Sequence, residues 1–203
     1  KSYSRFFADR HFIICFFGGL FMLGISLVLQ FFASNYATLS VSDSVTDVIL
    51  SNTRVYDVNG IFTYGAVVLF FLCLFLCLSR INYLPFVMKS VALFTAIRAV
   101  FISLTHISPY PLRATISSAF FQHTLFSGIF TGDGLFFSGH TGLPFLFALM
   151  FWDNKRLRVI FLTFSILFAI IVLLGHLHYS IDVLAAYFIT YSIFKICKFL
   201  FKK

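Results

Sequence analysis

The amino-acid sequence predicts an all-α, polytopic membrane protein: a single domain of six transmembrane helices with both termini cytoplasmic. Three observations carry that reading. Of 203 residues, 60% are hydrophobic and only 11% are charged, whereas soluble domains carry roughly 25% charged residues. So little charge cannot cover a surface that faces water on all sides. The apolar residues fall in runs close to the roughly 17–25 residues that a helix needs to cross a bilayer core. The cations fall in short clusters in alternate gaps between those runs, the pattern of cytoplasmic loops.

The first span covers about residues 12–33, too long for the apolar region of a signal peptide. The second covers 58–79 and the third 90–107, interrupted only by Arg98. The fourth covers 135–152, the fifth 159–175 and the sixth 181–200. Backbone groups in lipid must be satisfied within their own segment, so each span is expected to be a helix. Lys1, Arg5 and Arg10 precede the first span, and Arg80 and Lys89 lie between the second and third. Lys155, Arg156 and Arg158 lie between the fourth and fifth, and Lys195, Lys198, Lys202 and Lys203 end the chain. These clusters hold 12 of the 15 basic residues and set the orientation. Outside, the loop 34–57 is polar, and 108–134 includes a stretch, 114–130, expected to form an interfacial or re-entrant helix.

The net charge of +8 does not indicate nucleic acid, because the cations are scattered between spans rather than gathered in one patch. Cys15, Cys73, Cys77 and Cys197 all lie in apolar runs and read as buried free thiols without a disulfide framework.

Three groups of residues at the outer face carry candidate chemistry. The first is Thr131-Gly132-Asp133-Gly134-Leu135-Phe136-Phe137-Ser138-Gly139-His140-Thr141. Its small residues allow a ligand to approach the backbone closely. Ser138 and Gly139 open the fourth span, where free N–H groups and the positive end of the helix dipole suit an anion such as phosphate. His140 beside them can protonate a leaving group, and Asp133 is counted with the same substrate-binding set.

The second group is His176-Leu177-His178-Tyr179-Ser180-Ile181-Asp182. His178 and Asp182 are four apart and share a helical face. A carboxylate on one imidazole nitrogen fixes the tautomer and leaves the other nitrogen free to attack or to accept a proton. His176 and Tyr179 are expected to line the pocket. The third group is Arg98, with Thr105 seven residues on along the same face. An Arg inside a span costs at least about 2.5–3.5 kcal/mol on insertion scales unless it faces the protein interior or a wet cavity; facing inward, it can hold a phosphate.

Each group has an ordinary explanation alone: a surface histidine, a structural ion pair, a helix start. Their convergence on one membrane face favours a site. His140, His176, His178, Asp133 and Asp182 would suffice as metal donors, but the His-x-His spacing matches no strong zinc signature, and no metal or other cofactor is expected. A non-catalytic lipid transporter is disfavoured because the inner half has no intramembrane charge beyond Arg98.

Gly132-Asp133, then Phe137-Ser138-Gly139-His140-Thr141, resembles the Ser-Gly-His motif of the type 2 phosphatidic acid phosphatase superfamily. With His176-Leu177-His178-Tyr179-Ser180-Ile181-Asp182-Val183 it is most similar to the sphingomyelin synthase and ceramide phosphoethanolamine synthase branch. Arg98, Thr105 and Pro109 resemble that branch's third-span motif more weakly. The resemblance covers about residues 90–190. Thr131 stands where the branch usually has Cys, and Val172 stands where ordinary phosphatases of the superfamily have a basic residue.

The resemblance implies a six-span enzyme with a metal-free site on the non-cytoplasmic face, whether periplasmic, extracellular or Golgi-lumenal. It implies His178 as nucleophile or base, Asp182 as its orienting carboxylate and His140 as the acid on the leaving group. The implied reaction moves phosphocholine or phosphoethanolamine from a membrane phospholipid donor to a lipid acceptor such as ceramide. With water as acceptor the enzyme would be a phospholipase C or a lipid phosphatase. No nucleic-acid partner is expected, and a homo-oligomer is compatible with the chain.

Overall fold

A computed structural model describes residues 9–115 and 135–201. Asp133 and nearly all of the stretch 114–130 lie outside the described residues. Six helices run through the described chain: α1 (Arg10–Leu39), α2 (Asn59–Ser79), α3 (Leu84–Leu104), α4 (Gly139–Met150), α5 (Lys155–Leu174) and α6 (Ser180–Phe201). Short 3-10 turns at Leu50–Asn52 and Ile81–Tyr83 complete them, and no strand is present among the described residues. The fold is all-helical, as expected.

Five of the six helices are long and apolar enough to cross a membrane. Their outer faces expose large side chains such as Phe17, Phe21, Phe75, Phe188 and Phe199, surfaces that lipid covers at no cost and water does not. The protein is therefore an integral membrane protein.

The helix boundaries differ from the expected spans where the backbone departs from hydropathy. Helix α3 begins at Leu84, not 90, because Pro85 sits in its first turn, where a missing N–H costs nothing. Lys89 is thus inside α3, with its ammonium over the Phe201 ring at 5.6 Å, rather than in the connection before it. Helix α4 has 12 residues, not the 18 of the run 135–152, because 135–138 is non-helical. At about 1.5 Å per residue it extends about 18 Å, well short of the roughly 30 Å core. Leu135, Phe137 and Ser138 leading into it are buried, so the start of α4 lies inside the protein.

Helix α1 packs along α3, α4 packs on α5 and α6, α3 contacts α6, and α2 leans on α5. One apolar cluster joins Phe147, Phe151, Phe161 and Phe168 of α4 and α5 with Leu69 and Leu76 of α2. Another joins Phe94 of α3, Leu146 of α4 and Ala186 and Ile193 of α6 around Phe137. Gly142 permits the closest approach. A Cβ there would lie 2.8 Å from Thr190 Oγ1 and 2.9 Å from Phe94 Cε2, so α3, α4 and α6 meet at a position without a side chain.

The loop 40–58 and the segment 105–115 converge on the turn between α5 and α6. Tyr56 N–H donates to Leu174 O and Ala114 N–H to Gly175 O, each at 2.9 Å. The loops also bond one another, with both the Ser42 N–H and its hydroxyl donating to His106 O. A five-residue turn, 175–179, is in this way clamped from two sides.

Candidate active site

The site is built from three helix ends and the turn between α5 and α6. That turn follows α5 with a Schellman geometry: His176 N–H donates to Leu173 O and Leu177 N–H to Val172 O. Such a motif requires one residue in the left-handed region, usually Gly. Here His176 takes it, with φ at 52°, while Gly175 sits one residue earlier at the helix end. The conformation is uncommon for a side-chain-bearing residue, and contacts hold it. His176 Nδ1 pairs with Leu112 O at 2.9 Å and Nε2 with Thr53 Oγ1 at 3.2 Å, with Tyr110 edge-on to the ring. Both nitrogens serve the loops, so His176 anchors the turn and presents neither nitrogen to a ligand.

Two residues on, His178 Nδ1 meets Asp182 Oδ2 at 3.2 Å. Asp182 is 0% exposed, and the same oxygen accepts the Tyr179 N–H at 3.0 Å. With the carboxylate on Nδ1, the imidazole proton resides there and Nε2 carries the lone pair. Tyr179 itself is turned away. Its hydroxyl donates to Ser108 O at 2.8 Å and accepts from Val45 N–H at 3.4 Å. Burial first of all, with the charges of Asp182 and Asp47 and the neighbouring Tyr110, raises its pKa above the ordinary 10.0, so it stays a neutral tether. The hydroxyl of Tyr179 anchors the loops to this turn.

Opposite this pair stands the start of α4. Phe137 takes φ of 29°, and its carbonyl accepts from Arg98 Nε at 3.3 Å. Ser138 N–H donates to Asp182 O at 3.2 Å, stitching α4 to α6. Ser138 caps α4 without a side-chain hydrogen bond to it, so the first N–H groups, which no helix carbonyl can serve, remain uncovered by the cap. Ser138 Oγ and Asp182 Oδ1 have no hydrogen-bond partner among the described residues. Arg98 lies directly against this end: a Cβ on Gly139 would be 3.3 Å from its Nε. A side chain at 139 would push the guanidinium back by a few tenths of an ångström.

His140, in the first turn of α4, lies between the rings of Phe62 of α2 at 4.3 Å and Phe168 of α5 at 5.6 Å, tilted against both. It lies within electrostatic reach of His178 and Arg98, and Arg98 within reach of Asp182. Pro144, four residues on, has no N–H for the His140 carbonyl, which loosens the helix at that point. The structure thus gathers Arg98, Ser138, Gly139, His140, His178 and Asp182. Thr105 lies at the C-cap of α3, one residue past its end, and its hydroxyl contacts Phe101 O at 2.9 Å and Leu135 O at 3.5 Å, which ties the end of α3 to the segment leading into α4.

Asp47 was legible only as one of several outer acids. Its Oδ1 accepts the N–H groups of Ile49 and Leu50 at 2.9 and 3.0 Å, and its Oδ2 accepts the Ser180 N–H at 2.7 Å. Burial alone would raise its pKa, but these backbone donors and the Ser180 hydroxyl outweigh it and hold the carboxyl below the ordinary 3.8. The Asp-x-Ile-Leu spacing marks a local turn; nothing in it signals a contact 133 residues away. Among the described residues no three His, Cys, Asp or Glu side chains group as a metal site.

What the arrangement can do is bind an anion and exchange a group on it. The Arg98 guanidinium lies against the start of α4, that start is bonded to Asp182, which holds His178, and His140 is within electrostatic reach of both Arg98 and His178. Residues 132–199, about a third of the chain, match the family model described as PAP2 superfamily C-terminal. This match supports the type 2 phosphatidic acid phosphatase superfamily, whose members are lipid phosphatases or phosphotransferases, and with it an enzyme acting on lipid phosphates. No curated protein and no solved structure matches the chain.

Proposed function

We propose that the protein is a lipid headgroup phosphotransferase, moving phosphocholine or phosphoethanolamine from a glycerophospholipid to a lipid acceptor such as ceramide, at the non-cytoplasmic face. The observation that carries this reading is the His178–Asp182 pair set against Arg98 and the uncapped start of α4.

The donor phosphate sits between Arg98 and the N–H groups of Gly139 and His140, which neutralise its charge. His178 Nε2 attacks phosphorus, and the bond from phosphorus to the diacylglycerol oxygen breaks. Protonated His140 gives that oxygen its proton, releasing diacylglycerol and leaving the headgroup phosphate on His178 with His140 neutral. The acceptor hydroxyl then attacks phosphorus, its proton passes to His140, and the bond to Nε2 breaks. Asp182 stabilises the charge that His178 acquires when it is phosphorylated. Such chemistry asks of a protein mainly positioning and charge stabilisation.

Water can replace the acceptor hydroxyl, and the family match favours that second reading as much as the first: a lipid phosphate phosphatase or phospholipase C. Purified protein with a fluorescent ceramide and phosphatidylcholine or phosphatidylethanolamine separates them by chromatography. A fluorescent phospholipid product that requires His178 is the expected result. Diacylglycerol without that product gives the hydrolytic reading, and release of phosphate from phosphomonoester lipids alone gives the phosphatase.

A further inference from the structure

The two N–H groups that open α6 are taken by two different carboxylates. Tyr179 N–H goes to Asp182, four residues from His178, and Ser180 N–H goes to Asp47, in the first outer loop. Among the described residues, no hydrogen bond ties that loop to the start of α6 and the His178 turn at shorter distance than Asp47 Oδ2 to Ser180 N, at 2.7 Å. The other Asp47 oxygen is held by Ile49 and Leu50, so the carboxylate is fixed in orientation and is only 7% exposed. It functions as an N-cap supplied from far away in sequence.

We propose that Asp47 is a positioning residue for the His178–Asp182 pair: by capping Ser180 it holds the first turn of α6 and leaves Asp182 dedicated to His178.

The physical reason is competition. A buried N–H seeks an acceptor, and leaving one unmade is costly. Asp182 has one oxygen on His178 and Tyr179 and another without a partner among the described residues. With Asp47 removed, Ser180 N–H has Asp182 as the nearest carboxylate on its own helix turn. A carboxylate drawn toward Ser180 no longer holds Nδ1 of His178 in line, and Nε2 loses its aim at phosphorus. Displacements of about 1 Å at a reacting group can cost about a hundredfold in rate. Substrate contacts through Arg98 and α4 are untouched, so binding is preserved.

This rests on the reaction proposed above, and the test separates the two. Full-length wild type, Asp47→Asn, Asp47→Ala and Thr53→Ala are purified and compared on whichever phospholipid the wild type consumes. Thr53→Ala removes that loop's bond to His176, which Leu112 O and the Tyr110 ring still hold, and leaves the cap in place. Asp47→Ala is expected to lower kcat about ten- to a hundredfold while KM stays within about twofold. Asp47→Asn, whose amide oxygen can still accept from Ser180, should recover most of kcat, and Thr53→Ala should retain it. Unchanged kcat in Asp47→Ala, or an equal fall in Thr53→Ala, overturns the proposal; if Asp47→Ala does not fold, Asp47→Ser, whose short side chain can serve the Ile49 and Leu50 turn but does not reach Ser180, takes its place and is read in the same way. An independent arm uses nitrogen-15 histidine spectra, with His178→Gln locating the His178 signal. Its Nδ1 proton, held by Asp182 in wild type, should exchange faster in Asp47→Ala, and an unaltered signal overturns the proposal even if no lipid is turned over. Wild type inactive on every lipid, with this spectral change present, rejects the reaction and keeps the positioning role.

Discussion

At the scale of single residues, His178 and Asp182 stand four apart, and the structure gives them the hydrogen bond that this spacing predicts. His178→Ala should abolish turnover, since no other described group offers a lone pair at that point. Asp182→Asn should lower kcat by on the order of 10³–10⁴. If the amide NH2 faces His178, the imidazole proton must move to Nε2 and the attacking lone pair is lost. Full activity in either variant sinks the mechanism. Asp47 adds a pH dependence. Its folded pKa lies below the ordinary 3.8, so the folded state binds the proton less well than the unfolded chain. Its stabilising contribution is therefore fully present above pH 3.8 and is lost as pH falls through the lower folded value. Thermal unfolding in detergent across that acid range should show wild type losing stability more steeply than Asp47→Asn, which has no proton to gain there. Side chains that depend on i,i+4 spacing were legible in the sequence. The loop contacts of Asp47, His176 and Tyr179 were not legible, because their partners lie far away along the chain.

At the scale of elements, the helices were legible wherever an apolar run equalled a helix, as in α2 and α6, whereas α5 begins four residues before its run, at Lys155. Hydropathy failed at α4, because the buried non-helical residues 135–138 are as apolar as the helix that follows. The same reading could not see that Thr105 lies past the end of α3. The short α4 brings an uncapped helix start inside the protein, and its position depends on Gly142. Gly142→Ala is expected to destabilise the protein by about 1–3 kcal/mol, because the new methyl would overpack the junction against Thr190 and Phe94. A melting curve in detergent checks this. Thr190→Ala in the same chain removes one of the two obstacles, so the double variant should be more stable than the sum of the singles. Simple additivity would show that Gly142 matters for some reason other than this crowding.

At the scale of the whole molecule, orientation decides which leaflet supplies the lipid. The helix order places the loop 40–58, the segment leading from α3 and the α5–α6 turn at one end of the bundle, and direct hydrogen bonds between them confirm that they meet. The site lies at that end. The opposite end has Arg10, Arg80, Lys155, Arg156, Arg158 and Lys198, and Arg158 lies over the exposed Trp152 at 4.9 Å, an anchor suited to a membrane interface. Basic loops are retained in the cytoplasm during insertion, so the site is expected to face the other way. Two single-cysteine reporters test this in a chain with its four native Cys replaced by Ala. Val48, 82% exposed, reports the site end, and Asp153, exposed between α4 and α5, reports the basic end. In intact cells, if the chain resides in the plasma membrane, a membrane-impermeant maleimide should label Val48→Cys at once and Asp153→Cys only after permeabilisation; for an internal membrane the same contrast is read inverted in sealed right-side-out vesicles. The reverse pattern would turn the site toward the cytoplasm, leave the side-chain chemistry intact, and require the donor lipid to come from the cytoplasmic leaflet.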